Sequence, residues 1–480
     1  MYVSAKILKN ASSLLLVQII NPLLGMLFVI ALARIDGAAG LGEYTFALSV
    51  VAIFEGIAGM GLRGYIIREI GKCQAKWHAI FNSAAAVGLV SALVAQIAML
   101  IAAKLMGYDE GILHGLFIVS FSLLPTVIIY VLMSTLHAFD RMTVTGVIQI
   151  VETLVRVVLG LGTIFFGLGM NWLLAGFVIS RALAALLTWW GQIKYVGKPR
   201  RIWDQQVFRA LLKVAPTFAG MAILAAVYWR VNILMLSRMT GAEAVGHFSA
   251  GYRLMDLMAF VGGGVLTAVY PTLSRMFHHA RENFRLLIEK GVQYTIMIYL
   301  PAAILVHALS AKILLLFYGP DFNPAVAGLK ILIWVALPFT LARLFANALV
   351  ISGHPNLDLR VNVYRLVWNL VLNYFLIDAM GMVGACIATL ISVTASVILQ
   401  IYYLRKIVQP ALQLSHILKP GLAAMAMLFV LQLTGEWHLI PQLLTAVAIY
   451  LAMLLIFKPF DPQDRRMLEC LGRQPAGEMV

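Results

Sequence analysis

The chain has 480 residues, of which 62% are hydrophobic and only 12% charged, with a mean hydropathy of +0.91. Ordinary soluble domains carry about 25% charged residues, so the composition excludes a soluble protein and predicts an integral membrane protein. A formal net charge of +15 raises nucleic-acid binding, which the placement of the basic residues then excludes.

A bilayer crossing needs roughly 20 apolar residues. Fourteen such runs follow one another at about 12–34, 42–62, 79–103, 112–138, 143–167, 170–195, 210–237, 244–272, 291–318, 325–352, 359–377, 382–405, 416–434 and 440–458. The connections are short and leave no room for a soluble domain. The first run follows Lys6 and Lys9, is longer than a signal-peptide core, and has no small-residue cleavage site before Arg34, so it reads as a retained span. With the N-terminus inside, the cytoplasmic segments hold 25 Lys and Arg and the opposite side five: Arg34, Lys104, Arg238, Lys312 and Lys330. This asymmetry places both termini in the cytoplasm. The basic balance is therefore topology, and no nucleic-acid partner is expected. Cys73, Cys386 and Cys470 have neither pairing nor metal-site spacing, so no metal and no cofactor are expected.

The chain also repeats itself. Ala33-Arg34-Ile35-Asp36-Gly37-Ala38-Ala39-Gly40-Leu41-Gly42-Glu43-Tyr44 returns 204 residues later as Ser237-Arg238-Met239-Thr240-Gly241-Ala242-Glu243-Ala244-Val245-Gly246-His247-Phe248. Locally this is a helix stop, a tight turn and a helix start, with both glycines easing the turn. Its duplication pairs span 1 with span 7 and span 2 with span 8, in the same direction, which makes the repeats parallel. A looser echo continues near an offset of 213, with Pro125 answered by Pro338. The expected architecture is two six-helix lobes, 1–195 and 205–408, followed at 409–480 by an appended helix pair and cytoplasmic tail. The basic segment Lys194 to Trp203 joins the lobes and suits the anionic inner leaflet.

Nine charges fall within the spans, and such residues face a bundle interior or a wet cavity. Six are arginines: Arg156, Arg181, Arg230, Arg253, Arg343 and Arg365. Three are acids: Glu55, Glu152 and Asp256. The arginine excess favours an anionic substrate group, and guanidinium forks suit phosphate. Glu152 with Arg156, and Arg253 with Asp256, stand at spacings that also allow structural ion pairs along one helix. Arg230 and Arg253 fall in the outer halves of adjacent spans, Arg343 and Arg365 in the inner halves of theirs, together a candidate two-level cationic track. Glu55 is a lone mid-span carboxylate, a candidate for ion coupling along with Asp256 and Glu152. Pro216 and the run Gly262-Gly263-Gly264 are candidate bending points. No loop is large enough for a catalytic site on sugars, so the chain is not expected to be an enzyme.

The opening resembles the polysaccharide-transporter branch, the Wzx-type oligosaccharide flippases, of the multidrug/oligosaccharidyl-lipid/polysaccharide (MOP) exporter superfamily. The resemblance lies in Lys9-Asn10, Ala33-Arg34 with Gly37 and Gly42, Glu43-Tyr44-Thr45-Phe46-Ala47-Leu48-Ser49, and Gly59-Met60-Gly61-Leu62 with Ile67-Arg68-Glu69-Ile70. It covers about 1–75 and, through the repeat, extends more weakly over 205–275. It implies an all-α membrane protein of about fourteen transmembrane helices, bilobed, with a cationic central cavity. It also implies movement of undecaprenyl-diphosphate-linked oligosaccharide units from the cytoplasmic to the periplasmic leaflet of a bacterial inner membrane. The partners implied are that lipid-linked oligosaccharide, the membrane lipids, and a polysaccharide polymerase that takes up the product. The alternatives are a lipid II flippase, a cation-coupled drug exporter of the same superfamily, and a membrane glycolipid-processing enzyme.

Overall fold

The computed structural model describes residues 2–59, 62–279, 281–409 and 415–457; the side chains of 2–16, 221, 260–269, 271–272, 278–279 and 415–417 are outside the description. The tail with Lys458, Arg465, Arg466, Cys470 and Arg473 lies outside the described residues, as do Met60 and Gly61.

Among the described residues the chain is helical without strands and makes fourteen helical passes. The first two are the limbs of α1 (Tyr2–Gly59), broken at Gly37. A short α2 (Leu62–Lys72) follows, then α3 (Trp77–Leu105). The fourth pass is α4 (Glu110–Ser120) continued by α5 (Leu123–Ala138). Next come α6 (Met142–Phe165), α7 (Met170–Tyr195), α8 (Gln205–Met239), α9 (Ala242–His279) and α10 (Arg281–Phe317). α11 (Ala325–Leu332) and α12 (Ala336–Ile351) share one pass. The last four are α13 (Pro355–Met380), α14 (Met382–Ile407), α15 (Ser415–Leu433) and α16 (Leu439–Phe457). Ten of these helical stretches are long and apolar enough to cross a membrane by length and composition alone. α13 is not among them; Arg365 and Asp378 together with Asn362, Asn369 and Asn373 lower its apolar character.

Two compact units divide the chain, residues 1–246 and 247–480. In the first, α2 is an amphipathic helix that sequence reading leaves as loop. It buries Leu62, Tyr65, Ile66 and Ile70 against Trp77, Phe81 and Leu132. The basic connector of this unit is fastened to α3: Asn82 Nδ2 donates to the carbonyls of Arg200 (2.7 Å) and Ile202 (2.8 Å). His78 Nδ1 accepts from the Arg200 amide at 3.1 Å. α8 then starts on a side-chain cap, with Asp204 Oδ1 accepting from the amides of Gln206 (2.8 Å) and Val207 (3.3 Å).

In the second unit the appended pair packs on α10. Met297, Ile304 and Leu309 meet Ala424, Met427, Ala446 and Leu454, and Tyr450 donates to the Met297 carbonyl at 2.7 Å. Lys312 Nζ holds the turn between α15 and α16, donating to Gly435 O (2.9 Å), Trp437 O (2.7 Å) and Gln442 Oε1 (2.7 Å).

The internal echo is visible in backbone geometry. Pro125 and Pro338 each take the third position of a helix, α5 or α12, that restarts mid-pass after a break, at Phe121–Ser122 in one case and Ile333–Val335 in the other. First-turn N–H groups have no intrahelical acceptor, so a proline there removes no bond. The 204-residue repeat is resolved more sharply. Gly37 and Gly241 are counterparts, and both have positive φ, 68° and 93°, the left-handed region that glycine enters without penalty. Gly42 and Gly246 are also counterparts, and they have a different task. A Cβ on Gly42 would stand 1.7 Å from the Ala242 carbonyl oxygen, and a Cβ on Gly246 1.9 Å from that of Ala38. Ala38 and Ala242 are themselves counterparts, so the two copies meet reciprocally, each glycine against the other copy's alanine backbone. The expectation that both glycines ease the turn therefore holds for the first of each copy alone. The second permits close backbone approach.

Candidate functional site

Three helices of the first unit bring their intramembrane charges together. The second limb of α1 supplies Glu55, α6 supplies Glu152 and Arg156, and α7 supplies Arg181. Arg181 is the hub: Nη1 lies 3.1 Å from Glu152 Oε1 and Nη2 lies 3.6 Å from Glu55 Oε1. Its guanidinium also sits over the Phe177 ring, 5.3 Å from the centroid. Glu55 receives longer contacts from Thr126 Oγ1 (3.4 Å) and the Tyr130 hydroxyl (3.5 Å) of α5. A buried charge is costly unless paired, and one guanidinium here serves as the ion-pair partner of carboxylates on two other helices.

Beside this triad is a cavity of about 260 Å³, lined by Asn21, Arg63, Tyr130, Gln149, Glu152, Arg156 and Arg181 among others. Three guanidinium groups face it with Glu152 as the carboxylate of the lining. Arg63, the second residue of α2, is oriented from behind. Thr145 Oγ1 donates to the Met142 carbonyl (2.8 Å), so His137 Nε2 donates to Thr145 (2.8 Å) and its Nδ1 accepts from Arg63 (3.3 Å). Arg181 Nε and Asn21 Oδ1 are buried without a hydrogen-bond partner among the described residues. Such orphaned groups beside a cavity are what a bound polar ligand satisfies.

The sequence-derived candidates thus separate. Arg156, Arg181, Glu55 and Glu152 converge. The pair that spacing allows along one helix, Glu152 with Arg156, does not form; Glu152 pairs with Arg181 across helices, leaving Arg156 on the cavity lining. Arg230 is half-buried on α8 of the first unit. Arg253, Arg343 and Arg365 belong to the second. Arg253 is half-buried on α9 and acts electrostatically on the Tyr318 hydroxyl. Asp256 is exposed on the same helix. Arg343 is exposed on α12, and Arg365, half-buried on α13, donates to Asn362 Oδ1 at 2.8 Å. Arg63, Tyr130 and Asn21 were missed from sequence. Arg63 directly follows the apolar run 42–62 and reads in sequence as a connecting-segment charge; the Gly59-Met60-Gly61 stretch before it is the available signal.

Fourteen helical passes without strands among the described residues are the fold of a MOP-type exporter. A solved structure of the lipid II flippase MurJ in an inward closed conformation shares the fold, with a TM-score of 0.79 at 16% identity over 94% of this chain and 98% of that one. The chain belongs to the polysaccharide biosynthesis protein family, whose model matches residues 7–277, within the MOP exporter superfamily. The family model of the lipid II flippase MurJ matches residues 249–458. Two curated relatives span most of the chain. A putative O-antigen transporter of Shigella flexneri is 23% identical over 386 residues, covering 77% of this chain and 90% of the relative. The lipid II flippase MurJ of Bacillus subtilis is 24% identical over 446 residues, 82% of each.

Proposed function

We propose that this protein is a flippase for undecaprenyl-diphosphate-linked oligosaccharide units, moving them from the cytoplasmic to the periplasmic leaflet of a bacterial inner membrane for surface or exopolysaccharide synthesis. The observation that carries the reading is the cavity faced by Arg63, Arg156 and Arg181. A lipid diphosphate is anionic and acceptor-rich, and guanidinium groups answer it with forked, charge-assisted hydrogen bonds. Arg181 is held in place by Glu55 and Glu152, and Arg63 by His137, so the site is built before the ligand arrives. Arg156 carries no ion pair among the described residues and is the group most available to a phosphate. Arg230, Arg253, Arg343 and Arg365 remain candidates for further cationic contacts, and Asp256 for ion coupling. Both termini on the cytoplasmic side follows from the lysine and arginine asymmetry. A polymerase would consume the delivered units.

A lipid II flippase is the second reading, favoured by the match of residues 249–458 to that family's model. A cation-coupled drug exporter fits less well, because a cavity faced by three guanidinium groups repels a cationic drug. The test is the sidedness of lipid-linked intermediates in cells lacking the protein, with the wild type or Arg63→Gln/Arg156→Gln restored. Deletion should trap undecaprenyl-linked units on the cytoplasmic face, and the variant should insert without rescuing. Trapped lipid II in their place would transfer the assignment to peptidoglycan. Normal delivery without the protein would end the flippase reading.

A further inference from the structure

A second cavity of the first unit lies at the opposite end of its helices from the basic connector, where α3 turns into α4, α7 begins and α8 ends. It has a volume of about 660 Å³, inside the range of about 300–1,000 Å³ typical of small-molecule sites. Its polar lining is mixed in sign and type: Glu43, Asp109, Asn171, Ser237, Arg238 and Tyr108. Ile112, Leu116 and Leu174 form an apolar floor, and the rings of Phe46 and Tyr108 stand 5.0 Å apart at the wall. Asn171 Nδ2 is held at 3.2 Å from His114 Nδ1, which fixes the amide. The Tyr108 hydroxyl is buried beside Ser237 and makes no hydrogen bond of ordinary geometry among the described residues.

The occupant must meet carboxylate acceptors and guanidinium and amide donors within one space. A phosphate would face Glu43 and Asp109 with like charge, and an amine would face Arg238. Hydroxyl groups both donate and accept, so a ring bearing several of them satisfies both halves of the lining. The apolar C–H face of such a ring also suits an aromatic wall. We infer that this cavity is a saccharide subsite, holding the sugar units of the lipid-linked substrate at the non-cytoplasmic end of the first unit. The inference rests on the flippase reading above. It also gives the duplicated motif a task beyond the turn. Arg238 and Gly241 of the second copy, with Glu43 of the first, line this cavity, and the Ala242 backbone that meets Gly42 forms part of its wall.

The test places the photoreactive residue p-benzoylphenylalanine at Ile112 in cells that make the polysaccharide. Carbohydrate on the cross-linked protein is then detected by periodate oxidation and hydrazide labelling. Matched probes at Thr153, beside the cationic cavity, and at Val158, exposed on α6, serve as references. The expected result is a carbohydrate-bearing adduct at position 112 about tenfold above that at 158. Adding Asp109→Ala/Asn171→Ala should lower it about tenfold, as loss of two ordinary hydrogen bonds would. An adduct carrying radiolabelled phosphate that mild acid removes identifies the lipid-linked unit, whereas a phosphate-free adduct means a free saccharide and overturns the assignment to substrate. Carbohydrate at position 153 but not at 112 overturns the subsite and leaves the flippase reading intact. Carbohydrate at neither position, with the protein inserted, overturns both.

Discussion

An alanine at position 42 would set its Cβ 1.7 Å from the Ala242 carbonyl oxygen, 2.6 Å from the carbonyl carbon and 3.0 Å from the Gly246 amide nitrogen. All three atoms are backbone, so no rotamer change relieves the clash. Restoring ordinary contact needs the two turns to part by about 1.5 Å, and a gap of even ~1 Å forfeits up to about half of the dispersion energy of the atoms facing it. Overpacking typically costs about 1–3 kcal/mol, and an immovable backbone partner puts Gly42→Ala at the upper end. About 3 kcal/mol corresponds to roughly a hundredfold loss in the population of the closed contact. The contact is reciprocal, so Gly246→Ala should cost a similar amount. The double variant should cost much less than the sum, because the first substitution has already separated the turns. Thermal unfolding of the purified protein in lipid nanodiscs, read beside polysaccharide output, measures this. Gly162→Ala in α6, where a Cβ meets nothing within 4 Å, is the control and should be neutral or stabilising by up to ~1 kcal/mol. The reasoning is refuted if Gly42→Ala unfolds at the wild-type temperature and restores full output, or if the two glycine variants are simply additive.

Arg181→Gln leaves Glu55 and Glu152 without their shared cation; stranding a buried charge costs about 3–5 kcal/mol. Insertion level and thermal stability should both fall, and adding Glu55→Gln and Glu152→Gln should restore stability without restoring transport. Asp204→Ala removes the cap of α8, worth about 1 kcal/mol, and should lower the melting temperature while polysaccharide output persists. Lys312→Ala deletes three hydrogen bonds to the α15–α16 turn, each from a charged donor and worth about 1.5–3 kcal/mol in a dry site and less at an exposed one. Limited proteolysis should then cut between residues 434 and 438 faster than in the wild type.

Much of the architecture is legible in the sequence because a membrane imposes its rules locally. A pass needs a certain length of apolar side chains whatever its neighbours are, and loop charge is sorted by side, so span count and expected orientation can be read without tertiary information. The duplicated Arg-x-x-Gly-x-x-x-x-Gly pattern was legible for a similar reason: a left-handed φ at Gly37 and Gly241 is a single-residue property. What Gly42 and Gly246 do was not, since the atoms that exclude a Cβ lie 200 residues away along the chain.

The same limit decided the candidate site. Sequence alone marked Glu55, Glu152, Arg156 and Arg181 as charges too costly to leave facing lipid, because the penalty depends on residue type and depth. It could not choose among their partners. Neighbours four apart on one helix are visible as spacing, so the sequence offers Arg156 as a possible partner of Glu152. The stronger geometry lies across α6 and α7, where helix rotation and packing bring Arg181 between two carboxylates. Arg63 entered the cavity only because α2 folds back as an amphipathic helix on α3 and α5. Composition determined that this chain lives in a membrane and carries positive charge inside it; rotation of each helix about its axis, which side-chain packing sets and no linear pattern encodes, decided where that charge points.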